Sequence, residues 1–385
     1  MAAPCYARIV LAPDSFKESL TAVEAAEAMA EGVCAVIPAA SCRILPMADG
    51  GEGTVEAVAA ALGAELRTFA VTGPQGETIE AKMAWSRTTR VAVVEMAAAS
   101  GLALVPTELR NPMLTTSYGT GELIAAAVRL GARRIIVGLG GSATVDGGAG
   151  ILQAMGASLL NAEGKSIARG GAGLLELERI HLDGLRMQLG ECKVELACDV
   201  NNPLLGETGA AAVFGPQKGA TPEMVVELER GLERLANALE AATGRDVRQV
   251  PGAGAAGGAG AALIGACGAE MRSGGQLVAD LVELEDAIRE ADLVFTGEGR
   301  FDAQTLRGKL PSVVAEIAQR HGKPTVVLAG SVGEVPADEL KRMGIHAAIS
   351  ITPPGVPLAI ALRDAAVNMR RAAAMVADLW IKGRL

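Results

Sequence analysis

The chain has 385 residues and a formal net charge of −9, and 50% of its residues are hydrophobic while only 2% are aromatic. This length exceeds what one hydrophobic core usually serves, which predicts two domains. The negative charge and the lack of a Lys/Arg cluster argue against nucleic acid as a partner.

The six cysteines are scattered and form no C-x-x-C pair, which favours a reducing, cytoplasmic compartment. The apolar run at the start is too short for a signal peptide. The segment 252–269 is apolar only because it is rich in glycine and alanine, which makes it a poor membrane span. We therefore expect no membrane partner.

The N-terminal part begins with a strand, a polar loop and a helix. Residues 8–13 form a buried apolar run, and Asp14, Ser15 and Lys17 follow it directly. Thr21 and Glu24 have the spacing of a capping box, which predicts a helix from there to the glycine at position 32. The alternative for Asp14 and Ser15, ordinary turn and capping chemistry, stays open.

The same arrangement follows a second time. Residues 42–48 predict a strand, which is followed by Asp49 and Glu52 among three glycines and then by a helix that ends at Gly63. A loop that needs only flexibility would not need both carboxylates, although an exposed polar loop remains an alternative. From about residue 70 to 106, short β-like runs and turns predict an inserted segment rich in hairpins.

A glycine-rich loop after the strand at 135–137 is the strongest candidate for ligand binding. We call residues 140–148 the hub loop; they include Ser142, Thr144 and Asp146. Glycines after a buried strand let backbone N–H groups approach phosphate or carboxylate oxygens. A purely structural turn is the alternative, and the weak match of Gly138-x-Gly140-x-x-Ala143 to a dinucleotide fingerprint is a third interpretation.

The second half contains two further strands that end in polar loops. Residues 193–198 are followed by Asp199, Asn201 and Asn202, and residues 292–296 by a loop with Glu298 and Asp302. A helix after Thr221 has Pro222 in its first turn and ends at Gly244. Further predictions are a helix over 311–321, two buried strands, and one long amphipathic helix over 358–382.

Five predicted strand ends thus carry acidic residues. Carboxylates that converge on one site repel each other unless cations share it. Mg²⁺ and a few basic residues would supply this charge: Lys17, Lys218, Arg300, Arg307 and Lys309. Carboxylates, glycine loops and few cations, without a catalytic histidine, are typical of phosphoryl transfer. We expect Asp49, Asp199 and Glu298 to gather around one magnesium–nucleotide pocket.

Seven segments resemble the block motifs of the type I glycerate kinases: APDSFKESLTA, PMADGGEGT, GLGGSATVDGGAG, ACDVNNPLLG, FGPQKGA, PGAGAAGG and TGEGRFDAQTLRGKLP. The resemblance implies ATP-dependent, Mg²⁺-dependent phosphorylation of D-glycerate, typically at the 2-hydroxyl, with phosphorylation at the 3-hydroxyl as the alternative. It also implies two α/β domains with the active site in the cleft between them. One is flavodoxin-like and comprises residues 1–69 and 290–385, and the other is inserted at 70–289. A homodimer is compatible with it.

Site roles follow as hypotheses. The catalytic candidates are Asp199 as base, Asp49 as second choice, and Lys17 on the substrate carboxylate. The substrate-binding candidates are Ser15, Gly50, Gly51, Glu52 and Asn201. The nucleotide-binding candidates are Gly140, Gly141, Ser142, Thr144, Asp146, Gly147 and Lys309. Glu298 and Asp302 are the candidate Mg²⁺ ligands.

Two other classes of function stay open at this point. An oxidoreductase would bind a dinucleotide at Gly138–Ala143 and would need a ribose-binding acid about 20 residues further on. Only Asn161 and Glu163 stand there, after a weak strand. A non-catalytic sensor of organic acids would bind glycerate without ATP turnover, but it would have no need of so many carboxylates.

Overall fold

The computed structural model describes residues 6–303, 305 and 309–385. The chain divides into two compact units. Unit 1 contains the described residues of Met1–Asp49, Glu56–Gly63 and Gly275–Leu385, and unit 2 consists of Gly50–Val55 and Ala64–Gly274. The predicted α/β class with parallel sheets is confirmed, whereas the domain bounds at residues 69 and 290 stay a prediction.

The strands, in chain order, are β1 (Arg8–Pro13), β2 (Ser41–Ile44), β3 (Glu65–Thr72), β4 (Thr78–Ser86), β5 (Val91–Glu95), β6 (Arg134–Gly138), β7 (Ser158–Leu160), β8 (Arg179–His181), β9 (Lys193–Ala197), β10 (Glu270–Arg272), β11 (Leu293–Phe301), β12 (Thr325–Val332) and β13 (Ile345–Ser350).

The α-helices are α1 (Ala22–Val36), α2 (Thr54–Leu62), α3 (Met96–Ser100), α4 (Tyr118–Arg129), α5 (Ala149–Ala154), α6 (Asp183–Leu189), α7 (Ala210–Phe214), α8 (Pro222–Thr243), α9 (Ala255–Cys267), α10 (Gly274–Leu281), α11 (Leu284–Glu290), α12 (Leu310–Arg320), α13 (Ala337–Arg342), α14 (Leu358–Arg363) and α15 (Ala365–Ile381). None of the described helices is both long and apolar enough to cross a membrane.

Unit 1 is built on a five-stranded parallel sheet in the order β2-β1-β11-β12-β13. Counted within the unit, this order is 2-1-3-4-5, as in flavodoxin-like sheets. Successive side chains point to opposite faces of the sheet, so Leu328 packs with α1 and α15 while Val327 joins α12 in a smaller cluster. Folds of this order bind ligands beyond the carboxyl ends of the strands where the order reverses, which here are β1 and β11.

Unit 2 contains a six-stranded mixed sheet in the order β10-β9-β6-β5-β4-β3 and a small β7-β8 pair. Strands β3, β4 and β5 pair antiparallel, in agreement with the predicted hairpins, and the other neighbours pair parallel. The buried strand β6 lies between β5 and β9, with Ile135 and Val137 in the core. The carboxyl ends of β5, β6 and β9 therefore lie side by side.

Four predicted element ends differ from the structure. The strand predicted over residues 42–48 ends at Ile44, as β2. Helix α1 does not end at Gly32 but continues to Val36. Gly32 serves close packing and not a helix end, because a Cβ atom there would lie 2.2 Å from the carbonyl oxygen of Arg370 in α15. Strand β11 continues past Gly297 to Phe301, and the Gly297 backbone pairs closely with β12. The closing helix divides into α14 and α15 at Asp364.

Candidate functional site

In unit 1, two carboxylates meet where the pairing of β1 with β11 ends. The two strands pair in parallel up to Pro13 and Gly297, and the Asp14 N–H donates a hydrogen bond to the Gly297 carbonyl at 2.8 Å. Asp14 is the residue after β1, and Glu298 is the residue after Gly297. Asp49, which follows the buried stretch after β2, is close enough to act on both electrostatically.

Burial and charge repulsion raise the pKa values of Asp14 and Glu298. Burial, followed by repulsion from Asp49 and Glu298, raises the pKa of Asp14 from 3.8 to about 7, although the Ser15 N–H donates to its Oδ1 at 2.6 Å. Burial also raises the pKa of Glu298, as do Asp302 and Asp49. The Thr305 hydroxyl, which donates a hydrogen bond to Glu298 Oε1, and the charge of Lys309 act in the opposite direction.

The predicted cations around this cluster are exposed. Lys17 and Lys309 are both solvent-exposed, and the Arg300 guanidinium contacts Asp302 at 3.1 Å. Arg307, the other predicted cation of this segment, lies outside the described residues. Within the described ranges, no group of three or more His, Cys, Asp or Glu side chains is arranged to hold a metal ion. Mg²⁺ often uses only one or two protein carboxylates, so the Glu298–Asp302 pair stays a prediction.

In unit 2, the glycines of the hub region serve close backbone packing. A Cβ atom at Gly138 would lie 2.5 Å from the Gly50 carbonyl oxygen, and one at Gly140 would lie 2.7 Å from Gly51 Cα. The Gly140 N–H donates to the Gly50 carbonyl at 3.2 Å. Gly50 itself has φ +89°, and its Cβ would lie 2.6 Å from the Ala197 carbonyl oxygen. The loop after Asp49, the hub loop and the end of β9 therefore contact each other through backbone.

Asp146 is fully buried and ties the hub loop to the starts of two helices. Its Oδ2 accepts hydrogen bonds from the Ser117 N–H and hydroxyl, both at 2.8 Å, and from the Gly150 N–H at 3.3 Å. Its Oδ1 accepts from the Gly148 N–H at 3.1 Å. Burial raises the pKa of Asp146, and these four hydrogen bonds oppose the rise. A contact of Asp146 with a nucleotide stays a prediction.

Lys218, which the sequence predicted only as a source of positive charge, is buried against the hub loop. It is 2% exposed, and its Nζ donates to Ser142 Oγ and to the Thr144 carbonyl, both at 2.8 Å. Burial lowers the pKa of Lys218 to about 7, against the attraction of Asp146. The signal in the sequence was a lysine enclosed by glycines, in the segment FGPQKGA.

Another buried glutamate that the motifs did not reveal is Glu95, at the end of β5. Its Oε1 accepts a hydrogen bond from the Val55 N–H at 2.6 Å, at the start of α2. The helix start that follows the loop after Asp49 is thus anchored by a carboxylate from a neighbouring strand. In the sequence, Glu95 stood inside an apolar run, and nothing local distinguished it.

The loop after β9 exposes the predicted base. Asp199 and Asn201 are exposed, and Asp199 Oδ1 accepts a hydrogen bond from the Gly274 N–H at 3.0 Å. Glu52, a predicted substrate contact, is exposed as well. The structure therefore brings Asp14, Asp49 and Glu298 together in unit 1. The expected gathering of Asp199 with them stays a prediction.

Comparison with known proteins gives one consistent result. The model of the glycerate kinase family matches residues 9–381. Glycerate kinase from Bacillus subtilis (strain 168) is 48% identical over 370 residues, which cover 96% of this chain and 97% of the relative. Glycerate 2-kinase from Escherichia coli (strain K12) is 48% identical over 371 residues, with the same shares covered.

A solved structure agrees with the sequence comparisons. The crystal structure of a candidate glycerate kinase 2 from Salmonella typhimurium LT2 superimposes with a TM-score of 0.90 at 48% identity, covering 98% of this chain and 99% of that one. The resemblance drawn from the seven motifs is confirmed. The chain therefore belongs to the glycerate kinase family, a family of enzymes.

Proposed function

We propose that this protein transfers the terminal phosphoryl group of ATP to the 2-hydroxyl of D-glycerate. The observation that carries the proposal is membership of the glycerate kinase family across residues 9–381. The name of the Escherichia coli relative specifies the 2-position, which favours 2-phosphoglycerate over the 3-phosphate as product. No observation in the structure favours a dinucleotide oxidoreductase or a sensor.

Mg²⁺ suits the charge at the point where the pairing of β1 with β11 ends. Asp14 and Glu298 have raised pKa values partly because Asp49 repels both, and a bound cation would relieve this repulsion. Glu298 and Asp302 would hold the ion through oxygen, which is the ligand type that Mg²⁺ prefers. When bound, Mg²⁺ would neutralise charge on the phosphate oxygens.

The chain's own residues would position the reactants. Lys17 and Ser15, on the loop after β1, would bind the carboxylate of glycerate. Asp199, which is exposed on the loop after β9, would accept the proton of the attacking hydroxyl, and Asp49 is the second choice for this role. A positioned base of this kind contributes about 10²–10⁴-fold to the rate.

The residues predicted to bind the nucleotide differ in their burial, so only some of them are accessible to phosphate oxygens. Gly141 and Lys309 are exposed, whereas Thr144, Asp146 and Gly147 are buried. Phosphate oxygens would therefore contact the exposed residues. The buried residues would act mainly by holding the backbone of the hub loop in shape.

A coupled assay of ADP release tests the proposal directly. With D-glycerate, ATP and Mg²⁺, we expect ADP to form only when all three are present. Phosphorus NMR of the product then distinguishes the 2-phosphate from the 3-phosphate. If ADP release does not depend on D-glycerate, the proposed substrate is wrong; if the 3-phosphate accumulates, only the assigned position is wrong.

A further inference from the structure

We propose that Lys218 is a positioning residue that holds the Ser142 hydroxyl as a hydrogen-bond donor to an oxyanion of a substrate. The inference rests on the proposed function and deepens it. The ligand chemistry is an anionic oxygen, which a phosphoryl group of ATP or the carboxylate of D-glycerate could supply. Neither the family motifs nor the names of the relatives assign this role to Lys218.

The Ser142 hydroxyl accepts a hydrogen bond from Lys218 and keeps its own hydrogen for another acceptor. The Lys218 ammonium can only donate, and its Nζ lies 2.8 Å from Ser142 Oγ. Ser142 Oγ therefore accepts from the lysine, and its own hydrogen must point elsewhere. Among the residues that the structure describes, none accepts that hydrogen. A hydroxyl that accepts a bond from a cation is also a stronger donor, because hydrogen bonds in a chain polarise one another.

The charge of Lys218 is buried at a cost that a bound anion would offset. Within the described part of the chain, no carboxylate lies within ion-pair distance of Lys218. Asp146 is the charged group that attracts it, but the oxygens of Asp146 already accept four hydrogen bonds from other residues. Burial of a charge without a close counter-ion is unfavourable.

A second, independent observation concerns the same loop. Thr144 Oγ1 is buried and has no hydrogen-bond partner among the described residues. The Thr144 carbonyl is held by Lys218 Nζ at 2.8 Å, so the lysine fixes the backbone that carries this hydroxyl. Buried polar groups are nearly always paired, so the unpaired Thr144 hydroxyl is a second polar group of the hub loop whose capacity for hydrogen bonds is unused.

The proposal predicts a pH dependence with a definite sign. Because burial lowers the pKa of Lys218 to about 7, the amine loses its proton at moderately alkaline pH. A neutral amine has a lone pair that can accept the Ser142 hydrogen, which then turns away from the substrate. Oxyanion affinity should therefore fall as pH rises through about 7. Conversely, a bound anion stabilises the ammonium, so binding should take up protons.

The test is calorimetric titration of ATP and of D-glycerate, in separate arms, into the wild type and three variants. The variants are Lys218→Met, Ser142→Ala and the double variant. We expect each single variant to lose about 10- to 100-fold in affinity for one of the two ligands, as for a lost hydrogen bond to a charged group. The arm that responds identifies the source of the oxyanion. Because Lys218 acts through Ser142, the double variant should bind no more weakly than Lys218→Met.

Two controls make the result decisive. Lys165→Met removes an exposed lysine from the same unit and should bind as the wild type does. Should Lys218→Met fail to fold by circular dichroism, Ser142→Ala decides alone, because at about pH 6, where Lys218 is charged, it should lose about 10- to 100-fold in affinity for one of the two ligands. Wild-type affinity of Ser142→Ala for both ligands at that pH would overturn the proposal.

Failure of the inference is distinguishable from failure of the proposed function. If the wild type phosphorylates D-glycerate while Lys218→Met binds both ligands within about twofold of it, the role of Lys218 is wrong and the function stands. Additive losses in the double variant would likewise refute action through Ser142. If the wild type binds both ligands without turnover, the proposed function is wrong. If it binds neither, both are wrong.

Discussion

The substitution Asp14→Asn should make unit 1 more stable at alkaline pH. Asn keeps an acceptor for the Ser15 N–H, which lies 2.6 Å from Asp14 Oδ1, but it removes a negative charge that Asp49 and Glu298 repel. A purely structural Asp14 would instead destabilise the fold when replaced.

The magnitude follows from the pKa of Asp14, which the fold raises from 3.8 to about 7. The folded state holds this proton more tightly than the unfolded chain does. The wild type therefore keeps its full stability below about pH 4 and loses part of it as pH rises through about 7. One pKa unit corresponds to about 1.4 kcal/mol, so the stability gain of Asp14→Asn should reach about 1–4 kcal/mol above pH 7.5.

Urea unfolding of both proteins at about pH 5 and pH 8 measures this difference. The advantage of Asp14→Asn should be larger at pH 8 by about 1–3 kcal/mol. Asp338→Asn, an exposed carboxylate of α13 in the same unit, serves as the matched control and should show no such increase. If Asp14→Asn is less stable than the wild type at pH 8, or if its advantage does not grow with pH, the electrostatic reasoning is refuted.

Three further predictions concern unit 2. Asp146→Asn should reduce the free energy of unfolding by about 2–4 kcal/mol, because the amide NH₂ group of Asn would face buried N–H donors. Thermal unfolding should show a lower midpoint temperature for this variant, and no such decrease for the control Asp183→Asn, which changes an exposed residue. Gly50→Ala should lower the free energy of unfolding by about 2–5 kcal/mol, because the added Cβ overlaps backbone atoms and the residue keeps a strained positive φ. Gly53→Ala also has a positive φ, of +92°, but has open space around its Cβ, so it should lower the free energy of unfolding by only about 1–2 kcal/mol. Equal urea midpoints for the two variants would contradict the packing argument. Asp199→Asn should fold normally and lose about 10²–10⁴-fold in turnover in the ADP-release assay; near-native turnover would exclude it as the base.

Local signals in the sequence located many elements correctly. The capping box of Thr21 and Glu24 is present at the start of α1, and α8 begins after Thr221 and ends at the left-handed Gly244. Two glycines that were predicted to end an element, Gly32 and Gly297, do not end it. Gly32 and Gly297 lie inside regular elements because another backbone passes too close for a side chain, and no local pattern shows such a neighbour.

The sequence by itself determined the family, the α/β class and the loops in which polar residues follow buried strands, because motifs, caps and periodicity involve neighbours along the chain. The tertiary structure decided which of those residues interact. Asp14 and Glu298 are far apart in sequence yet meet across a parallel strand pair, and Lys218 reaches Ser142 from 76 positions away. Burial and charge repulsion set the pKa values of Asp14 and Lys218, and both depend on contacts that form only when distant segments pack together.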